Sequence, residues 1–419
     1  MIYDIIIIGG GAAGMMAAIS ATSQNATIAI IERNPKVGRK IYITGKGRCN
    51  LTNHCTQEEF LQSLRCNGKF LYSANSHFPP KATMDFFEEL GVPLKVERGN
   101  RVFPQSDKAT DIIDSLLLEM RRKNVVIKED RITEISKCDQ NIFHITGENH
   151  NYQCKALILA TGGATYPRTG STGDGYPLAQ SLGHKITPLV PSLIPFETAE
   201  EFCKDMQGLT LNNVKFTVKN SKKKTIFSEQ GDLLFTHFGV SGPLVLSAST
   251  VMRQWEKENY TATIDLKPAL TEEVLDLRLL RELGENPNRD LINILPNLVP
   301  RLMVNVIAQY AEIPFTRKAN ELTKQERRRL LEALKSLKIT LAAPRPMEEA
   351  IITAGGVSVS EVDPKTMQSK KVDSLYFAGE LLDLDAITGG YNLQIAWATG
   401  HLAGLSAVQK ITQEREGSI

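Results

Sequence analysis

The N-terminal stretch that ends at Glu32 constrains the fold more than any other part of the chain. An isoleucine-rich run over residues 3–8 leads directly into a glycine-rich turn over residues 9–14. A run rich in alanine and methionine covers residues 15–21, and a second apolar run over residues 27–31 ends at Glu32. This order predicts a strand, a turn, a helix and a second strand that is closed by an acidic side chain.

The turn has the residue types that a nucleotide pyrophosphate requires. Gly9 permits a tight turn, Gly11 lets backbone N–H groups approach the phosphates, and Gly14 lets the helix pack closely on the sheet. The helix N-terminus adds positive partial charge. Glu32 lies 18 residues beyond Gly14, near the spacing at which a carboxylate binds a ribose and repels a 2′-phosphate. The sequence therefore predicts a dinucleotide-binding domain.

Composition and charge limit the number of domains and the kinds of partner that we expect for this protein. A chain of 419 residues is long enough for two or three domains. Its 49 basic and 47 acidic residues give a net charge of +2, so we expect no nucleic-acid or membrane partner. The six cysteines form no C-x-x-C pair, which argues against a disulfide framework and a zinc site; we expect no metal and a cytoplasmic location. Asp4 interrupts the apolar N-terminus, which argues against a signal peptide or a membrane helix.

The segment over residues 33–53 is a basic, polar loop punctuated by glycines, which is typical of functional loops in nucleotide-binding domains. Arg39, Lys40 and the backbone of residues 45–47 are predicted to counter phosphate charge. An ordinary surface loop, with Cys49 as a packing residue, is the alternative. The side chains predicted to approach a reactive ring are Arg48, Cys49 and Asn50.

Three later motifs extend the nucleotide site. An apolar run ends in residues 160–163, A-T-G-G, a second glycine-rich approach that lacks the spacing of the first. Another run ends in Ala-Gly-Glu380, where a carboxylate suits ribityl hydroxyls. The pair Gly389-Gly390 opens a helix whose N–H groups suit a ring that gains negative charge on reduction. One complete fingerprint at the N-terminus and these motifs at the C-terminus describe a single FAD, with its AMP half first and its flavin half last.

Periodicity predicts the remaining elements. Helices are predicted over residues 83–90, 109–123, 177–182, 271–283, 290–294, 300–310, 324–337 and 395–408. Strands are predicted over residues 125–127, 131–135, 142–146, 152–154, 156–159, 196–198, 214–219, 225–228, 232–236 and 261–266.

The motifs together resemble those of the bacterial YhiN/BaiN-type flavoproteins, also called the aminoacetone oxidase family of FAD-binding enzymes. The segments G-R-C-N over residues 47–50 and F-T-H-x-G-x-S-G-P over residues 235–243 are specific to that family. Glu380 stands where many flavoproteins have aspartate. The matching segments cover residues 9–14, 44–53, 160–163, 234–243, 353–357, 377–380 and 388–394.

The resemblance implies an α/β fold with a discontinuous Rossmann-like, two-dinucleotide-binding-type FAD domain. This domain is predicted over residues 1–190 and 350–419. A β-rich, barrel-like insert is predicted over residues 191–268 and 337–349, and a helical insert over residues 269–336.

The resemblance also implies an FAD-dependent oxidoreductase that acts through flavin N5. The favoured activity is reduction of an activated C=C bond, such as that of a 3-oxo steroid, with NADH or NADPH as transient donor because no second fingerprint is present. An oxidase of small amines such as aminoacetone, which releases hydrogen peroxide, and a non-enzymatic flavin redox sensor are the alternatives. We expect a small-molecule substrate and a monomer or homodimer.

The predicted catalytic residues include His237, for which a structural role in the insert is the alternative. The catalytic set is His237, Arg48, Tyr391, Cys49 and Asn50. The predicted cofactor-binding set is Gly9, Gly11, Ala12, Ala13, Gly14, Glu32, Arg33, Arg39, Lys40, Gly45, Gly47, Arg48, Ile132, Ala160, Thr161, Gly162, Gly379, Glu380, Gly389, Gly390, Tyr391, Asn392 and Gln394.

Overall fold

The computed structural model of the protein describes residues 1–22, 26–138, 141–255 and 257–416. The strands are β1 (Ile2–Ile8), β2 (Ile28–Glu32), β3 (Thr52–Asn53), β4 (Leu94–Glu97), β5 (Arg101–Pro104), β6 (Val126–Glu129), β7 (Ile132–Lys137), β8 (Phe143–Gly147), β9 (Asn151–Leu159), β10 (Ile186–Ser192), β11 (Phe196–Thr198), β12 (Thr210–Lys219), β13 (Thr225–Phe235), β14 (Gly239–Ser241), β15 (Tyr260–Asp265), β16 (Leu337–Pro344), β17 (Ile352–Val357) and β18 (Leu375–Phe377). The α-helices are α1 (Ala12–Ser20), α2 (Arg39–Ile43), α3 (Gln57–Ser63), α4 (Tyr72–His77), α5 (Pro80–Glu89), α6 (Ala109–Arg122), α7 (Gly175–Ser181), α8 (Phe202–Asp205), α9 (Pro243–Ser249), α10 (Glu272–Glu285), α11 (Val304–Tyr310), α12 (Lys324–Lys335) and α13 (Tyr391–Glu416).

The chain forms two compact units. Unit 1 contains Met1–Ser192 and Met347–Ile419, and unit 2 contains Leu193–Pro346.

The central sheet of unit 1 brings four strand ends to one edge. Its order is β6-β2-β1-β9-β8-β7, with β18 also paired to β9. Strand β1 is parallel to β2 and β9, and β18 is parallel to β9. In this register Ile8 lies beside Ile31 and Leu159, and Leu159 lies beside Phe377. Because parallel strands share the direction of their carboxyl ends, the glycine-rich motifs that follow β1, β9 and β18 meet at the same edge.

Helices α1 and α13 cover one face of this sheet, and their backbones pack against each other at unusually close range. A Cβ built on Gly400 of α13 would lie 2.3 Å from the Ala13 carbonyl oxygen of α1, and one on Gly404 would lie 2.2 Å from that of Ala17. Only glycine admits this backbone approach. The small residues of both helices therefore fix the position of α1, whose N-terminus follows the fingerprint turn.

Unit 2 contains a closed antiparallel barrel with strand order β11-β14-β13-β12-β15-β16. Its helices α10 and α12 begin at threonine caps, since Thr271 Oγ1 accepts from Val274 N and Thr323 Oγ1 accepts from Glu326 N. The α/β fold with a barrel-like and a helical insert, which the resemblance implied, is confirmed.

The structure differs from the sequence prediction at several elements. The runs predicted over 152–154 and 156–159 form one strand, β9, and those over 225–228 and 232–236 form one strand, β13. The helix predicted over 290–294 is a single 3₁₀ turn, Leu291–Asn293. Helix α9 and strand β16 were not predicted. Among the described residues, no helix is long and apolar enough to cross a membrane.

Candidate functional site

The fingerprint turn combines three crowded glycines with one open glycine. A Cβ on Gly10 would lie 2.5 Å from Val37 Cγ1. Gly9 has a φ of +105°, and a Cβ there would lie 2.4 Å from the Ala160 carbonyl oxygen. A Cβ on Gly14 would lie 1.9 Å from the Gly9 carbonyl oxygen. A Cβ on Gly11, in contrast, would meet no atom of the described residues within 4 Å. The turn therefore leaves open space at the N-terminus of α1, where backbone N–H groups favour an anion.

The predicted ribose ligand Glu32 also holds this turn in place. Glu32 Oε2 accepts a hydrogen bond from Gly10 N at 2.7 Å, and Oε1 accepts from Asn34 N at 2.9 Å. Two neighbouring arginines have partners within unit 1: Arg33 pairs with Asp174 at 2.9 Å, and Arg39 donates to Asn34 Oδ1 at 2.7 Å. The acid thus lies at the turn, while Arg33 is paired to a carboxylate; the role of Glu32 as ribose ligand stays a prediction.

Lys40 and Glu380 form one ion pair, although the sequence assigned them to separate parts of a cofactor. Lys40 Nζ lies 2.5 Å from Glu380 Oε2 and donates to Thr165 Oγ1 at 2.9 Å. Glu380 Oε1 accepts from Thr353 N at 2.8 Å. Gly163 is required beside this pair, because its Cβ would lie 2.5 Å from Glu380 Oε1. The pair brings helix α2 and the turn after β18 together.

Arg48 is held by carboxylates of its own unit. Its Nη2 atom pairs with Glu97, and its Nε donates to Asp107 Oδ1 at 2.6 Å. The guanidinium carbon also lies 4.2 Å from the centroid of the Phe103 ring. Lys95 donates to Asp107 Oδ2 at 2.6 Å, so two cations and two carboxylates form one network. An approach of Arg48 to a flavin ring, which stays a prediction, requires its release from this network.

The next two residues differ sharply in environment. Cys49 is fully buried with a φ of +59°, and burial raises the pKa of its thiol to about 12. Cys49 therefore carries no thiolate at neutral pH, and the packing role that the sequence left open fits this burial. Asn50 Oδ1 and Thr161 Oγ1 are buried polar atoms without a hydrogen-bond partner in the described ranges. Such atoms call for a ligand or water.

The C-terminal motif is a strained turn that opens α13. Gly389 and Gly390 have φ values of +129° and +96°, and a Cβ on Gly390 would lie 2.3 Å from the Thr52 carbonyl oxygen. Asn53 Nδ2 donates to the Gly389 carbonyl oxygen at 3.1 Å. The first helical residue is Tyr391, and burial, with Cys55 and Glu59 nearby, raises the pKa of its phenol to about 12. Tyr391 is thus a neutral donor at physiological pH.

Three predicted cofactor contacts have structural roles in unit 1. Gln394 is fully buried, accepts from the hydroxyls of Thr52 and Thr83 at 2.7 and 2.8 Å, and donates to the Phe78 carbonyl. Its amide is therefore occupied within the protein. The Asn392 side chain bonds to the backbone of Ala386. The Ile132 side chain lies in the core and is 6% exposed.

His237 belongs to unit 2. It lies in the turn between β13 and β14, where Thr236 N donates to the Gly239 carbonyl oxygen at 2.8 Å, and its ring contacts Phe238. Its assignment to catalysis stays a prediction.

Sequence reasoning missed the residues that organise Glu380 and Gly389. Thr165, Thr353 and Asn53 contact these two residues from segments remote in sequence. Thr353 opens the glycine motif over residues 353–357, which was the available signal, but its partner lies 27 residues further along the chain.

The residues of unit 1 fit an extended FAD. The open space at Gly11 suits a pyrophosphate, and the first turn of α1 contains no acidic residue that would repel it. In the part of the chain that the structure describes, buried polar atoms without a hydrogen-bond partner lie on the loop after α2 and on the turn after β9. Gly9, Gly11 and Glu32 would hold the AMP half, and Glu380, Gly389 and Gly390 the flavin half. Fold and site together define an FAD-dependent oxidoreductase.

The chain belongs to the family of HI0933-like proteins with a Rossmann domain, whose model matches residues 3–406. The 3-dehydro-bile acid delta(4,6)-reductase of Clostridium scindens is 31% identical over 408 residues, 96% of this chain and 98% of that protein. The ribosomal RNA dihydrouridine synthase of Escherichia coli K12 is 30% identical over 398 residues, 95% of this chain and 96% of that protein. The family resemblance seen in the motifs is confirmed.

A solved structure shows the same fold. That of 3-ketosteroid-delta4-(5alpha)-dehydrogenase from Rhodococcus jostii RHA1 superimposes with a TM-score of 0.50 at 12% identity and covers 97% of this chain and 96% of its own. At this identity the likeness concerns the fold alone.

Proposed function

We propose that this protein reduces a carbon–carbon double bond conjugated to a carbonyl group, with NADH or NADPH as a transient electron donor. The observation that carries the proposal is the chemistry shared by two relatives that each align with at least 95% of the chain. One is named for reducing delta(4,6) bonds in a 3-dehydro, that is 3-oxo, bile acid, and the other for forming dihydrouridine. Both names describe saturation of a bond conjugated to a carbonyl.

Bound FAD, once reduced by NADH or NADPH, would supply the hydride that such a reduction adds to the β-carbon. The chain's own residues hold the cofactor's two ends and control the proton. The turn over residues 9–14 presents backbone N–H groups to the phosphates. The N-terminus of α13, after Gly389 and Gly390, places positive partial charge where a ring gains electrons.

Tyr391 is the group we assign as hydrogen-bond donor to the substrate carbonyl. Because burial keeps the pKa of Tyr391 near 12, the phenol keeps its proton throughout the neutral range. A donor at this oxygen lowers the energy of the charge that develops there during hydride addition. A role of His237 in moving the proton stays a prediction, since a neutral imidazole has one ring nitrogen that donates and one that accepts.

The assignment of NADH or NADPH as a transient electron donor follows from the single dinucleotide fingerprint. Residues 9–14 form the only G-x-G-x-x-G in the chain, and we assign that site to FAD. A nicotinamide dinucleotide would therefore bind transiently, without a Rossmann domain of its own.

An anaerobic stopped-flow experiment tests the proposal. The holoenzyme is mixed with NADH or NADPH, and flavin absorbance is followed. The reduced enzyme is then mixed with a 3-oxo-Δ4 steroid or, as matched control, the saturated 3-oxo steroid. We expect bleaching by at least one donor and reoxidation by the conjugated steroid or by uridine in RNA, but not by the saturated compound. Peroxide release with aminoacetone, without reoxidation by any conjugated compound, would instead identify an amine oxidase; no turnover at all would indicate a redox sensor.

A uridine base in RNA is the second candidate substrate. Ribosomal RNA dihydrouridine synthases from Escherichia coli and Haemophilus influenzae, at 30% and 29% identity, support it. The net charge of +2 favours only a few phosphate contacts, so RNA turnover should fall only gradually as the salt concentration rises. Reoxidation by a ribosomal RNA transcript at low salt, but not by the steroid, would select this candidate. The reverse would reject it.

A further inference from the structure

Helix α10 of unit 2 presents an apolar stripe to solvent on the side opposite its core contacts. The core face consists of Leu275, Leu279 and Leu283, which are buried. The opposite face carries Leu277, which is 66% exposed, flanked by Val274 at 49% and Leu280 at 43%. A surface helix ordinarily shows polar residues on that face. The stripe is therefore a candidate interface.

The ion pairs that α10 forms leave this stripe exposed to solvent. Asp276 is bound by Arg327 of α12, with Nε to Oδ1 at 2.7 Å. Arg278 lies 3.8 Å from Glu282 of its own helix. These ion pairs lie on the flanks of α10, between the core face and Leu277. The Asp276–Arg327 pair ties α10 to α12, so the stripe is presented on a helix that is anchored within its unit.

The charges around Leu277 are arranged symmetrically in sequence and oppositely in sign. Glu273 lies four residues before Leu277 and Arg281 four residues after it, while Val274 and Leu280 lie three residues to either side. Both Glu273 and Arg281 are exposed, and no ion pair to Arg281 occurs within the described ranges. Residues three or four positions apart lie on the same side of a helix, because one turn takes 3.6 residues. Leu277 and the four residues placed around it therefore share one side of α10.

We propose that α10 pairs with α10 of a second copy of this chain, antiparallel and centred on Leu277. A two-fold axis at Leu277 brings residues that are equally distant from it to the same level of the pair. Leu277 then meets itself, Val274 lies level with Leu280 of the other copy, and Glu273 lies level with Arg281 of the other copy. The stripe and its charges are thus complementary to themselves.

Gly284 supports a close approach of the two helices. It lies seven residues after Leu277, on the same side of α10, and a Cβ built there would meet no atom within 4 Å. One helix pair buries less than the ~1,200 Å² at which standard interfaces begin. The self-association is therefore weak, with a dissociation constant on the order of 10 µM.

Analytical ultracentrifugation of the full chain over about 1–200 µM, which spans that constant, tests the pairing. We expect a reversible monomer–dimer equilibrium that L277E abolishes. The matched control is L118E, a leucine on α6 that is 57% exposed, and it should leave the equilibrium unchanged. A concentration-independent monomer, or a dimer that survives L277E, would overturn the proposal.

Charge exchange provides the more specific test and does not depend on Leu277. E273R or R281E alone places like charges at the same level twice per dimer, so each variant should associate about tenfold more weakly. An equimolar mixture of E273R and R281E restores opposite charges at both levels and should dimerise as strongly as the native chain. A mixture that associates no better than either variant would refute the antiparallel register.

Discussion

Replacing Gly11 by glutamate tests the pyrophosphate site without disturbing the fold. Gly11 has a φ of −83° and a ψ of −167°, a conformation that any residue adopts. A Cβ there meets no atom within 4 Å, so the apoprotein accepts the side chain. The added carboxylate lies at the N-terminus of α1, where the phosphates of FAD would bind. The substitution should therefore remove cofactor binding and leave stability unchanged.

The magnitude follows from charge repulsion. Two unit charges about 4 Å apart interact by ~4 kcal/mol at an effective dielectric constant of about 20. Against one phosphate charge alone, this corresponds to about 10³-fold weaker binding. Gly11→Ala adds bulk without charge and should weaken binding by about tenfold, which we estimate from one displaced backbone contact of ~1.4 kcal/mol.

The assay compares flavin content and apoprotein stability. Flavin per chain is measured on the purified G11E, G11A and native proteins, and FAD affinity is measured by fluorescence quenching on reconstitution. Urea unfolding of the apoproteins provides the stability control. A yellow G11E protein with one FAD per chain would refute the reasoning. An apo-G11E that unfolds well before the native apoprotein would show that Gly11 has a structural role instead.

The remaining predictions concern catalysis and packing. Tyr391→Phe should retain FAD and lower the rate of substrate reduction by about 10²; an unchanged rate in stopped flow would remove Tyr391 from the mechanism. His237→Ala should likewise retain FAD and slow turnover, and unchanged steady-state rates would leave the histidine a structural residue. Gly404→Val should destabilise unit 1 by about 3 kcal/mol, because its Cβ would overlap the Ala17 carbonyl oxygen; an unaltered urea midpoint would contradict the close helix packing.

The sequence predicted the features that depend on short-range pattern. The strand, turn, helix and strand that end at Glu32 follow from residue order within one βαβ unit. The carboxylate of Glu32, predicted as a ribose ligand, lies at the glycine turn. A helix after the pair Gly389-Gly390 was predicted for the same reason, but over residues 395–408, and α13 begins four residues earlier, at Tyr391.

The features that were missed depend on partners remote in sequence. Strand β9, predicted as two strands on either side of Lys155, is continuous because it pairs with β1 both before and after this residue, and Lys155 Nζ lies 3.0 Å from Asp4 Oδ1 of that strand. Arg48 looked available to a flavin, but its carboxylate partners lie 49 and 59 residues away. Gln394 looked like a cofactor ligand, but Thr52 and Thr83 occupy its amide oxygen. Local pattern contains no information on such pairings.

Identification of the flavin that the purified protein carries tests the central claim most directly. Unit 1 provides the turn over residues 9–14 for an AMP half and the N-terminus of α13 for a flavin half. We therefore predict that denaturation releases FAD at one molecule per chain, and that the apoprotein takes up FAD but not FMN. A colourless protein that fails to bind FAD on reconstitution, or one that binds FMN equally well, would contradict the account.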